Sequence, residues 1–307
     1  MNAPSILAPL SPAWAAMKAA LFRPFNLNRW MLLGFTAWLA YIGESGCSAD
    51  IPLDREEAKI STDFMTNLWA EYATLIVAGL MVAVILAVLT GLLLSWLRCR
   101  GAFMFLDNVV RQRHEVSEPW HQFKIAGNSL FLWTLGFALV AALALALALT
   151  PLLAMIPAHG PLTPPIAIGL TAPLVLIWVV VVLYIRLFLD DFIVPLMWRN
   201  GLSPRLAWQK FSHLFRQAPM TFIGYGLFQA AMGFLLMLVL FVGGCLTCCC
   251  LFVILALPVI WAVILLPVLL FLRLYSLEFL RQFGPDCDVW AASQPPELPT
   301  AAIPPAD

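Results

Sequence analysis

From Ala73 to Leu97 the chain runs without an Asp, Glu, Lys, Arg or His, and Ser129–Ile156, Ile166–Ile185, Met220–Val242 and Leu251–Leu272 repeat that condition. A shorter stretch, Trp30–Gly43, precedes them. A helix crosses the hydrocarbon core of a bilayer in about 20 apolar residues, so these stretches fix the solvent as lipid. Composition agrees: 62% of the 307 residues are hydrophobic and 11% charged, against roughly 25% charged in a soluble domain. Lipid admits only helices and closed barrels, because backbone polar groups must be satisfied within the chain. A barrel needs many segments of about 10 residues with polar alternation, and these are absent. Ala141–Leu149 alternates Ala and Leu with no polar member, a composition that favours helix and close packing. The expected fold is all-α, a polytopic transmembrane bundle of six spans.

Charge orients it. With the N-terminus in the cytoplasm, every Lys and Arg except Arg55 and Lys59 falls on the inner side. The outer loop Glu44–Tyr72 then holds Glu44, Asp50, Asp54, Glu56, Glu57, Asp63 and Glu71, and the other two outer loops are uncharged. By the positive-inside rule both termini are cytoplasmic, in a cell (inner) membrane. The first apolar run begins too late for a signal peptide, and Glu44-Ser45 spoil Gly46-Cys47 as a lipoprotein cleavage site. A net charge of zero excludes nucleic acid as a partner.

The chain reads as one unit written three times, over about 11–107, 117–190 and 203–278. Each unit opens on a Ser, a Pro and a Trp and closes on a Leu followed by an acid. The openers carry Trp14, Trp120 and Trp208; the closers are Asp107, Asp190 and Glu278. Two apolar stretches lie between opener and closer, so the units are three helical hairpins in series. Ser203–Ala218 places Leu206, Trp208, Phe211, Leu214 and Phe215 at helical spacing with Arg205, Lys210, His213 and Arg216 largely opposite. Ser203 can cap this helix and Pro204 suits its first position. Such a helix is expected flat on the inner leaflet, its Trp an interfacial anchor and its basic face toward anionic lipid. Ser11–Phe22, with Lys18, and Glu118–Ala126, with Lys124, repeat the plan. The three acids read as solvated charges that stop helices from sliding deeper; the alternatives are carboxylates that ring a cytoplasmic vestibule, bind a cation or pair with the basic interfacial helices. Residues 1–288 form a single membrane domain, and 289–307 is a Pro/Ala-rich tail, disordered by composition.

No catalytic, metal or cofactor site is expected. The middles of the spans hold no Asp, Glu, Lys, Arg or His, which argues against proton-coupled transport and intramembrane proteolysis. Mid-span polarity reduces to groups such as Thr134 and Gln229, the latter placed for an interhelical hydrogen bond. Cys245, Cys248, Cys249 and Cys250 include a Cys-x-x-Cys spacing without a second distant pair. A disulfide is the alternative, and small apolar packing the favoured reading. His114, His121, His159 and His213 show no paired ligand motif. Pro258 and Pro267 are expected to kink the sixth span.

Phe105-Leu106-Asp107, Phe188-Leu189-Asp190, Trp208-Gln209-Lys210-Phe211 and the run Arg29–Phe35 resemble a broad group of bacterial six-span proteins of unknown function. Among them is the membrane domain attached to some glycerophosphodiester phosphodiesterases. The resemblance covers roughly Trp14 to Glu278 and implies a stand-alone membrane module; no catalytic residue transfers. Two functional expectations follow. One is a non-catalytic membrane protein that organises the envelope or scaffolds a membrane-protein partner. The other is a channel or carrier for an uncharged or lipidic substrate, which a cavity reaching into the membrane would favour. An enzyme using inner-face acids and His ranks last.

Overall fold

A computed structural model describes residues 4–23, 25–42, 55–112, 117–153, 164–247, 250–255 and 257–292. Among these residues every regular element is helical. The first half holds α1 (Leu10–Phe22), α2 (Leu27–Tyr41), α3 (Arg55–Arg111), α4 (Ser117–Gln122), α5 (Lys124–Ala148) and α6 (Thr150–Leu153). Then come α7 (Pro164–Phe188), a π-helical turn (Leu189–Ile193), α8 (Val194–Asn200), α9 (Pro204–Gln217) and α10 (Pro219–Leu246). The chain closes with α11 (Cys250–Leu255), α12 (Ile260–Ile264) and α13 (Leu266–Arg281), followed by two 3-10 turns. Among the described residues, four helical stretches are long and apolar enough to cross a membrane: Val77–Arg111, Lys124–Leu152, Ile166–Asn200 and Pro219–Leu246.

The first and last expected spans differ. The 15 residues of α2 rise about 22 Å at 1.5 Å each, short of a hydrocarbon core of roughly 30 Å. The last stretch is divided into α11, α12 and α13, with Pro258 in the first break and Pro267 at the start of α13. Proline removes an amide donor and clashes with the carbonyl one turn back, and Val259 after Pro258 adopts φ +67°. The expected outer loop also changes. Its residues from Arg55 onward are helical, running into the rest of α3 through one non-helical residue, Tyr72. Glu56, Glu57, Ala58 and Lys59 are good helix formers, and acids suit a helix N-terminus. Residues 44–54 lie outside the described residues.

Packing concentrates at one end of the long helices. On α3, Cys99 through Val110 are buried, whereas Leu80 and Leu89 are 61% and 57% exposed. The same contrast separates Asp191–Met197 from Leu176 (64% exposed), and Phe222 and Tyr225 from Leu235 (52%). Lipid is as apolar as leucine, so spans gain little from hiding leucines against one another. At the packed end an aromatic cluster joins four elements. Phe192 stacks on Phe211 at 5.4 Å and meets Tyr225 at 4.9 Å, and Tyr225 lies 4.6 Å from Phe279. Such pairs contribute beyond their buried area.

The short helices feed this core. Ala207, Phe211 and Leu214 of α9 are buried, so its apolar face is used on protein, where the sequence placed it against acyl chains. Pro204 opens α9, while Ser203 makes no side-chain cap bond. Ala13, Met17 and Leu21 of α1 are buried likewise. Close approach of α2 and α3 depends on Gly101, where a Cβ would lie 2.5 Å from the backbone carbonyl carbon of Leu39. The N-terminal segment straps across the C-terminal helix. Ser5 N–H donates to Gln282 Oε1 at 2.8 Å, Gln282 Nε2 donates to the Ser5 carbonyl at 3.0 Å, and the Tyr275 hydroxyl donates to the Ile6 carbonyl at 3.0 Å. Val289 is buried and Trp290–Ala292 form a 3-10 turn, so packing continues past the domain boundary expected at 288.

Candidate functional site

The packed end is also the charged end. After Leu189 the sequence places two acids in succession, Asp190 and Asp191, inside an otherwise apolar helix. Neighbours on an α-helix point about 100° apart. A π-helical turn at this point widens the backbone, a feature that recurs at functional sites, and the two carboxylates serve different helices. Asp190 binds Arg98 of α3 at 2.6 Å. Asp191 turns to α10, accepting from the Tyr225 hydroxyl at 2.8 Å and from Gln229 Nε2 at 3.3 Å. Gln229 thus makes the interhelical hydrogen bond its position called for. Arg273 of α13, 4% exposed, donates to the Asp190 carbonyl. Arg98 also donates through Nε to the Ala40 carbonyl at 3.3 Å. Buried charge is tolerable only when paired and hydrogen-bonded; Arg98 and Asp190 are both, while Asp191 and Arg273 rest on hydrogen bonds, with Arg273 Nε left without one. Together these contacts tie α2, α3, the π-helical turn, α10 and α13.

The other expected acids have their own partners. Asp107 is wholly buried, against the expectation of a solvated anchor: Trp198 Nε1 donates to it at 3.1 Å and Arg111 pairs with it at 3.1 Å. Glu278, 12% exposed at its side chain, faces Arg281 at 3.5 Å. So Asp107, Asp190 and Glu278 belong to three separate ion pairs, with Arg111, Arg98 and Arg281. The physical reason is that the helical chain continues past each acid, which buries Asp107 and brings Asp190 and Glu278 within reach of their arginines. The three tryptophans differ in surroundings. Trp14 is 51% exposed, edge-on to Phe271 at 5.9 Å, with Lys18 over its ring at 5.6 Å. Trp120 helps enclose the Arg100 guanidinium, 4.8 Å from its ring and 4.2 Å from that of Trp96. Trp208 stacks on Trp133 of α5 at 5.3 Å. Of the cysteine cluster, Cys245 is exposed, and Cys248 and Cys249 lie outside the described residues.

Above the Arg98–Asp190 pair lies a cleft of about 610 Å³ between α3, α5 and α7. Its floor carries Arg98, Asp190 and Arg186 with Ser95; its walls are apolar, including Leu92, Ala138, Ala142, Leu145 and Val182. The Ala/Leu alternation of α5, expected to bring helices together, instead leaves room: Ala141 and Ala142 line the cleft while Leu143 and Leu147 are 64% and 62% exposed. Trp178 Nε1 donates to the Ala141 carbonyl at 2.9 Å, so the indole shows the cleft only its apolar ring. Thr134 directs its hydroxyl to the Leu130 carbonyl at 2.8 Å. The volume lies within the roughly 300–1,000 Å³ of ligand pockets.

The sequence reading missed Arg98, Asp191, Tyr225 and Arg273. One signal was present: the apolar run Phe192–Met197 after the two acids means the helix does not end at Asp190. No curated protein and no solved structure matches the chain. Residues 5–257 match the model of a family of unknown function, DUF7544, and the chain belongs to that family.

Proposed function

We propose that the protein is a non-catalytic, multi-pass protein of the cell membrane that receives a lipidic molecule in the cleft between α3, α5 and α7. The carrying observation is the cleft itself, polar and charged at one end and apolar along its length. An amphiphile has that same division. Of the two expectations the sequence left open, scaffold and lipidic carrier, a cavity of this kind favours the second. The one-sided distribution of Lys and Arg supports an orientation with the packed, charged end and both termini in the cytoplasm. In this reading α2 and the broken α11–α13 complete six crossings, and each hairpin follows one of the Trp-bearing helices α1, α4 and α9.

The test is lipid retention. Protein purified in mild detergent is expected to carry lipid detectable by mass spectrometry of the extract. Ala138 is exposed on the cleft wall, so Ala138→Phe fills the cleft without displacing a packed neighbour. That variant is expected to fold and lose the lipid. Equal retention by both proteins overturns the proposal.

A further inference from the structure

Resting on that reading, we infer that the cleft selects a net-anionic phospholipid, its phosphate on Arg186 and one acyl chain along α5. The floor has a charge surplus. Arg98 is committed to Asp190 at 2.6 Å and to the Ala40 carbonyl, and Asp190 also receives Arg273 through its backbone carbonyl. Arg186 lies one turn before Asp190 on the same wall, is exposed, and has no ion-pair or hydrogen-bond partner among the described residues. One guanidinium is therefore left over beside a satisfied pair. Guanidinium is planar, always charged, and matches two phosphate oxygens with two parallel N–H groups. The Ser95 hydroxyl, on the turn of α3 next to Arg98, adds a second polar group at the same level.

Length fixes the rest of the ligand. From Thr134 to Leu145 the α5 wall rises about 16 Å, about half of a hydrocarbon core of roughly 30 Å. A chain lying along it spans one leaflet. Along the wall beyond the floor the Trp178 indole N–H and the Thr134 hydroxyl are both engaged as donors. The cleft therefore matches a ligand with one head and an apolar tail better than one with two polar ends. A zwitterionic headgroup brings its own cation beside Arg186; a net-anionic one does not.

The experiment reconstitutes the full chain in nanodiscs of equimolar phosphatidylglycerol and phosphatidylcholine and identifies the lipid retained after detergent exchange. Wild type is expected to hold phosphatidylglycerol about five-fold above its bulk ratio, the factor one basic residue contributes near anionic lipid. Arg186→Gln is expected to bring the ratio to bulk while thermal stability stays unchanged, since Arg186 supports no contact in the core. Arg186→Lys keeps the charge without the fork and is expected to fall between. Ala138→Phe, with Arg186 intact, is expected to lose bound lipid of either kind. A parallel arm with oleate added separates phosphate from carboxylate recognition; preferential retention of oleate overturns the phospholipid assignment. Bound lipid at bulk ratio in wild type, or equal enrichment in Arg186→Gln, overturns headgroup selection but leaves lipid binding standing. Absence of bound lipid in wild type overturns both.

Discussion

Asp107 has no exposed side-chain surface and faces Arg111 and Trp198, so the cost of changing it is set by what it leaves behind. Asp107→Asn removes a charge-assisted contact and is expected to cost about 2 kcal/mol, within the range for hydrogen bonds to charged groups. Arg111 remains 30% exposed, and that access to water keeps the loss below the full penalty of an orphaned buried charge. Glu278→Gln is expected to change stability by under about 1 kcal/mol, since Arg281 is 54% exposed and keeps Asp288 at 3.3 Å, and ion pairs open to water contribute little. The comparison is read from thermal midpoints in one detergent and from membrane abundance. Wild-type behaviour of Asp107→Asn would restore the solvated-anchor reading. The acids were legible in the sequence as repeated punctuation. Arg111 and Arg281 stand one helical turn after Asp107 and Glu278, a local spacing open to reading; Arg98 was not, because it and Asp190 are separated by 92 positions and no local spacing announces that meeting.

At the scale of elements, periods and apolar length were enough to find α3, α5, α7 and α10. They failed for α2 and α11–α13, where run length alone hides a short helix and two proline breaks. They failed also for the first turns of α3, because acidic residues read as loop while forming helix. Two glycines of α3 now behave differently. At Gly101 a Cβ would strike the Leu39 backbone at 2.5 Å, whereas at Gly79 no atom lies within 4 Å. Backbone cannot yield as a flexible side chain can. Gly101→Ala is therefore expected to lower the thermal midpoint by pushing α2 off α3, an overpacking effect of about 1–3 kcal/mol. Gly79→Ala is expected to be neutral or slightly stabilising, because alanine is the better helix former. Equal midpoints for the two variants would mean that α2 does not rest against α3 at this point.

For the molecule as a whole, reporter fusions after Lys59 and in the C-terminal tail are expected to read opposite sides of the membrane. If both report the same side, α2 does not cross, and its 15 residues lie instead against α3 and α12. The strap between Ser5 and Gln282 has a consequence in time. Its two ends are 277 positions apart, and a ribosome adds about 5–20 residues each second. The N-terminal segment is therefore made roughly 15–55 s before its binding groove exists. Throughout that interval the apolar face of α1 has no native surface to meet, while α3, α5, α7 and α10 enter the bilayer. Completion of the charged end is thus a closing event, triggered when α13 arrives and the oldest part of the chain meets the newest.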